Sequence, residues 1–186
     1  MDELLGWAIG NAAFARVSRY DGATEEWQVT TGTWNEQHAY TVSDDFTEMP
    51  FRVWYMGDMP HGWAAAEFML LLREMLFFEA GEDDTRELYI APGILPRWLS
   101  GDGGHSVTVT NAATTYGTPF GYTLVHDEPN RNVRIDITQP VAGVNYVYPC
   151  RLGAVNGATA DGIALPVAGS DVRLPPGTAH AEISYA

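Results

Sequence analysis

The sequence predicts an α+β chain, with a helical segment over residues 1–85 followed by an antiparallel β-sandwich over residues 86–186. Three observations carry this expectation. From Trp63 to Phe78 the chain reads WAAAEFMLLLREMLFF, sixteen residues without Gly or Pro and rich in strong helix formers. Residues 2–18 place Leu4, Leu5, Ala8, Ala12 and Ala15 at helical spacing. From Leu88 onward, short runs of alternating apolar and polar residues are separated by Gly and Pro turns.

The elements follow in order. Trp7, Ile9 and Phe14 add apolar surface to the first helix, which therefore needs a partner, while Gly6 and Gly10 weaken it. Residues 21–33 are polar, with Trp27 and Val29 alternating, and read as a loop or short strand. Residues 34–51 read as a long irregular stretch, and structureless loops of this length are uncommon unless functional. Its aromatics, with Trp54 and Tyr55 beyond it, suit either a pocket lining or a small aromatic core. The helix of 63–79 is apolar almost all round, the mark of a buried helix. Asp58 and Pro60 stand where a helix start favours a cap or an early proline, and Gly81 reads as its stop. Beyond it, Leu88-Tyr89-Ile90, Val107 with Val109, Tyr122–Val125, Val133 with Ile135 and Ile137, Val144–Tyr148, Val172–Leu174 and Ala181–Tyr185 read as strands. That number and spacing match a sandwich of roughly 6–8 strands.

Composition bounds the function. Of the 186 residues 24 are acidic and 10 are basic, all Arg, so the formal net charge is −14. No nucleic-acid partner is expected, since that needs a positive footprint. No membrane partner is expected either: the charge opposes anionic surfaces, and no stretch is long and apolar enough to span a bilayer. The balance fits a protein handling neutral ligands such as sugars. Cys150 stands alone, so there is neither a disulfide framework nor a cysteine metal cluster, and a buried, inert thiol is expected. The N-terminus lacks the basic region of a signal peptide, which points to the cytoplasm for the chain as given; for a piece of a longer protein the native location stays open.

Chemistry concentrates around the start of the second helix. Trp34, Glu36, His38, Asp58, His61 and Trp63 bring carboxylates, imidazoles and large aromatics together in sequence. Glu67, inside the helix, requires a partner or a proton if buried, and pairing with an Arg or a backbone amide is the simpler reading. His61 either caps the helix or contacts a sugar hydroxyl. The five histidines are scattered without an HExxH pattern, so neither a metal nor another cofactor is expected. Ser43 and Ser106 lack a nucleophile-elbow setting, and the 101–104 Gly-rich turn precedes no helix that could hold phosphate.

These residues carry a family resemblance. Trp34-Asn35-Glu36, Gly57-Asp58, Pro60-His61-Gly62-Trp63-Ala64-Ala65-Ala66-Glu67-Phe68 with Leu71, Leu72, Arg73 and Leu76, and Leu88-Tyr89-Ile90-Ala91-Pro92-Gly93-Ile94-Leu95-Pro96-Arg97-Trp98-Leu99 resemble the C-terminal portion of six-hairpin (α/α)6-barrel glycoside hydrolases of the glucosidase, debranching-enzyme and rhamnosidase type. Asn111, Thr114, Tyr116 and Gly117 resemble the first strands of the sandwich that follows in such enzymes. The resemblance implies the last helices of a toroid followed by an antiparallel β-sandwich. It also implies inverting hydrolysis by two carboxyl groups ~6.5–9.5 Å apart. Glu36 matches the water-activating base, Trp34, Asp58, His61 and Trp63 would bind substrate, and the general acid would lie on helices this chain does not contain. The implied partners are carbohydrate and either the missing N-terminal toroid or a second copy of the chain. Two other readings stay open: a non-catalytic carbohydrate-binding or accessory module, and a domain that braces a partner chain. By itself, the chain is expected not to hydrolyse glycosides.

Overall fold

In the computed structural model the described residues are 18–21, 26–29, 37–41, 52–56, 62–82, 85–100 and 106–186, with side chains from Ala66 onward. The chain divides into two compact units, Met1–Leu71 and Leu72–Ala186.

In the first unit two short antiparallel hairpins replace the expected helical architecture. β1 (Ser18–Asp21) pairs with β2 (Glu26–Val29), and β3 (Gln37–Thr41) pairs with β4 (Arg52–Met56). Part of the stretch read as irregular is thus a strand. The physical reason lies in residue type: Tyr20, Trp27, Val29, Tyr40, Val53, Trp54 and Tyr55 are β-favouring aromatic and β-branched residues, and short runs of them pair locally. The helix expected over 2–18 lies outside the described residues up to position 17, and Ser18 opens a strand.

Among the described residues there is one α-helix, α1 (Gly62–Leu76), and no set of toroid helices. The helical toroid of the α+β expectation is therefore overturned: the described chain is mostly β-sheet. Nor is α1 buried all round, since Met69, Leu70 and Leu71 are exposed, Met69 by 70%. Glu67, placed by the sequence reading inside a buried helix, is exposed. The helix also stops earlier than expected. Phe77 and Phe78 belong to β5 (Phe77–Ala80), where strand alternation puts Phe77 in the core and leaves Phe78 exposed. Pairing with β6 (Glu87–Ile90) sets Phe77 opposite Ile90 and gives the backbone there a ladder in place of another helical turn.

The end of α1 is closed by the segment after β6. Ala91 donates its N–H to the Leu76 carbonyl at 2.8 Å and Gly93 to the Met75 carbonyl at 3.0 Å. The Tyr122 hydroxyl donates a further bond to Leu76 at 2.7 Å. These bonds satisfy carbonyls that a helix end leaves open. Gly93 is required here, because a Cβ would lie 2.7 Å from the Met75 Cα.

The second unit is β-sandwich-like. After a 3-10 turn at Pro96–Trp98 come β7 (Ser106–Ala112), β8 (Phe120–Asp127), β9 (Asn132–Gln139), β10 (Asn145–Pro149), β11 (Val155–Ala160), β12 (Ile163–Ala164), β13 (Asp171–Leu174) and β14 (His180–Tyr185). A four-stranded sheet runs β13-β10-β6-β5 and a six-stranded sheet runs β12-β11-β14-β9-β8-β7. The sandwich is not wholly antiparallel, because β10 pairs with β6 in parallel, Tyr146 beside Leu88. Residues of both sheets share one core, with Phe120, Leu124, Val133, Ile135 and Ile183 from one and Phe77, Leu88, Ile90, Tyr146 and Leu174 from the other. In β9, Val133, Ile135 and Ile137 point inward, as their spacing predicts. Cys150 is a free thiol within this core. No helix among the described residues is long and apolar enough to cross a membrane.

Candidate functional site

Glu36, Trp34, Asp58 and His61 lie outside the described residues, and Trp63 is described only as backbone within α1. Of their sequence neighbours, His38 lies in β3 opposite Tyr55 of β4. The site that can be built from side chains lies elsewhere. It is an open depression in the second unit, lined by Arg73, Glu74, Phe78, Glu79, Ala80, Gly81, Glu82, Thr115 and Tyr116.

Three segments make it. The last turns of α1 supply Arg73 and Glu74, β5 and its turn supply Phe78 to Glu82, and the β7–β8 loop supplies Thr115 and Tyr116. Strand alternation turns Phe77 into the core and leaves Phe78 42% exposed, edge-on to Tyr89 with ring centroids 6.1 Å apart. Gly81 then turns the chain at φ +77°, where an added Cβ would lie 2.0 Å from the Thr85 carbonyl oxygen.

Glu79 fastens the loop to the strand. One carboxylate oxygen accepts from the Thr115 N–H at 2.6 Å and from the Thr115 hydroxyl at 2.9 Å. The other is ion-paired with the Arg73 guanidinium, which also donates to the Ala113 carbonyl at 3.1 Å and lies 4.2 Å over the Phe77 ring. The Tyr116 hydroxyl bonds the Ala80 carbonyl at 3.0 Å and lies 3.2 Å from that of Glu87, with the Arg86 guanidinium 5.5 Å over its ring. Arg73, Glu79, Thr115 and Tyr116 therefore hold the frame. Phe78, Glu74 and Glu82 are exposed lining groups that this frame does not use.

Burial pushes the Glu79 carboxyl up, but the bonds from Arg73 and Thr115 together outweigh it and hold it below its ordinary value. A depressed carboxyl pKa contributes stability above the unfolded-state value and loses it as pH falls through the folded-state value. Glu79→Gln should therefore lower stability at neutral pH by about 1.5–3 kcal/mol, the range for a hydrogen bond to a charged group. The gap to wild type should close as pH falls through the carboxyl range. Urea denaturation across that range measures both, and a gap independent of pH would contradict the role given to the ionised group.

The remaining titratable clusters have structural uses. His126 is buried between the Leu99 carbonyl and the Tyr185 hydroxyl. His180 bonds Asp136 across β14 and β9 at 2.7 Å, a bond that raises the His180 pKa. No group of three or more metal-capable side chains occurs among the described residues.

The expected helix of 63–79 takes in Arg73, Glu74 and Phe78 alike. No period-two signal marks the change to a strand, since Phe77 and Phe78 are both apolar; the pairing with β6 decides it. Compared with protein-family models, curated proteins and solved structures, the chain shows no match.

Proposed function

We propose that the chain acts as a non-catalytic accessory module of β-sandwich type that holds neutral carbohydrate. The observation that supports this reading is the exposed Phe78 ring in an open depression whose lining also includes the exposed Glu74 and Glu82. Sugar rings present apolar C–H faces that stack on an aromatic ring, while their hydroxyls donate to carboxylates. The strongly acidic chain favours an uncharged ligand over an acidic one. Glu79, the most enclosed of these carboxylates, has both oxygens occupied by Arg73 and Thr115, and is better suited to fastening the loop than to moving a proton.

The test is titration of the purified chain with a panel of neutral oligosaccharides. Phe78→Ala should weaken binding roughly tenfold or more, the equivalent of about 1.4 kcal/mol. Glu36→Gln should leave binding unchanged. Equal affinity for wild type and Phe78→Ala, or no binding by either, would remove the support. The same preparations should release no phenol from aryl-glycosides. Turnover abolished by Glu36→Gln would instead establish hydrolysis with Glu36 as its base.

A further inference from the structure

We propose that Asn156 is a site of spontaneous deamidation, opened by a bulge in β11 and independent of the carbohydrate reading. Asn156–Gly157 is the one Asn–Gly step in the sequence. In β11, Val155 pairs with Tyr185 and Gly157 with Ser184, so Asn156 is the extra residue. A bulge leaves its extra residue out of the ladder and bends the strand locally. Asn156 is exposed, and its side chain makes no hydrogen bond among the described residues. Two other asparagines are held: Asn111 accepts from Gln139 at 2.7 Å, and Asn130 donates to Asp127 at 2.8 Å.

Gly157 lies close to β14. A Cβ at position 157 would lie 2.7 Å from the Ser184 hydroxyl oxygen, so a side chain there would require that hydroxyl to turn away. The same missing side chain leaves the Gly157 nitrogen sterically open. That nitrogen, on losing its proton, attacks the Asn156 Cγ. A new C–N bond closes a five-membered succinimide, and the side-chain nitrogen leaves as ammonia after taking up a proton. Water then opens either ring carbonyl to give aspartate or an isoaspartyl linkage. The balance is one water consumed and one ammonia released, with no change of oxidation state.

A related step, Asp161–Gly162, can form the same succinimide, yet it is restrained. The Asp161 carboxylate accepts the backbone N–H of His180 at 2.9 Å and of Ala179 at 3.2 Å. Both modified forms at 156 add a negative charge to a chain already at −14. The isoaspartyl form also inserts a carbon into the backbone of β11, which lies between β12 and β14. Its consequence is looser pairing of β11 with β14 where Val155 and Gly157 meet Tyr185 and Ser184.

The experiment incubates the full chain, folded and urea-unfolded in parallel, at mildly alkaline pH. Peptide mapping by mass spectrometry, with enzymatic methylation of isoaspartate, follows every Asn and Asp. In the folded chain, conversion at Asn156 should exceed that at any other Asn several-fold and proceed at a rate close to that of the unfolded chain. Asn156→Gln should abolish it. Asn156→Asp should carry the charge without the extra backbone carbon and keep the β11 amides protected from hydrogen exchange, whereas the isoaspartyl form loses that protection. Strong protection of Asn156 in the folded chain relative to the unfolded one, or faster conversion at another Asn, would overturn the proposal.

Discussion

Phe120→Ala is expected to cost the β-sandwich-like unit about 3–5 kcal/mol, the range for truncating a buried aromatic. Phe120 is fully buried at the start of β8. Its ring stacks on Tyr146 of the opposite sheet, centroids 5.8 Å apart, and meets Phe77 at 5.9 Å and Tyr122 of its own sheet at 5.6 Å. The cavity could not close easily, because its neighbours are tied at their far ends. The Tyr122 hydroxyl is bonded to the Leu76 carbonyl, and the Tyr146 hydroxyl to the Val141 N–H and carbonyl. A site that cannot collapse sits at the upper end of the range. Urea denaturation should show a lower midpoint with an unchanged slope, and Phe120→Leu should lose less. A loss under about 1 kcal/mol, the size of an ordinary substitution, would mean that the sheets do not pack through this cluster.

His126→Phe should be the second large loss, about 3 kcal/mol, with each buried group left short of a bond costing about 1–3 kcal/mol. A carbonyl can only accept, so the His126 Nδ1 carries a proton toward Leu99, while Nε2 is hydrogen-bonded to the Tyr185 hydroxyl. One imidazole thereby joins β8 to the end of the 96–99 turn and to the last strand, β14. Phenylalanine keeps the ring but supplies neither bond. Tyr185→Phe removes one side of the same link. The double variant should therefore cost less than the sum of the singles, the mark of a shared interaction. Strict additivity, or wild-type stability of His126→Phe, would contradict the link.

Both predictions rest on strands that were legible in the sequence. Val133, Ile135 and Ile137 at period two announce β9, and the flanking Arg134, Asp136 and Thr138 announce its outer face. Tyr122–Val125 and Ala181–Tyr185 were equally readable as β8 and β14. The helix of residues 62–76 was readable from propensity alone, although not its surroundings. Its apolar circumference implied burial, yet Met69, Leu70 and Leu71 are exposed. The toroid inferred around it is replaced by hairpins, because local pairing of short aromatic and β-branched runs leaves no helical period to detect between residues 18 and 56.

The sequence by itself determined what depends on neighbours a few residues apart: the period of each strand, the extent of propensity in α1, the net charge and the solitary Cys150. Tertiary structure alone decided which strands meet. The parallel pairing of Tyr146 with Leu88 and the transfer of Phe77 from helix to strand opposite Ile90 join segments whose contact no local pattern encodes. The depression has the same origin, since Glu79 and Thr115 stand 36 positions apart. Periodicity reports which face of an element is buried. It carries no information on the partner that buries it, because the hydrophobic effect is non-directional and many surfaces would serve. The choice among them is made by register, turn geometry and close packing once the whole chain is folded.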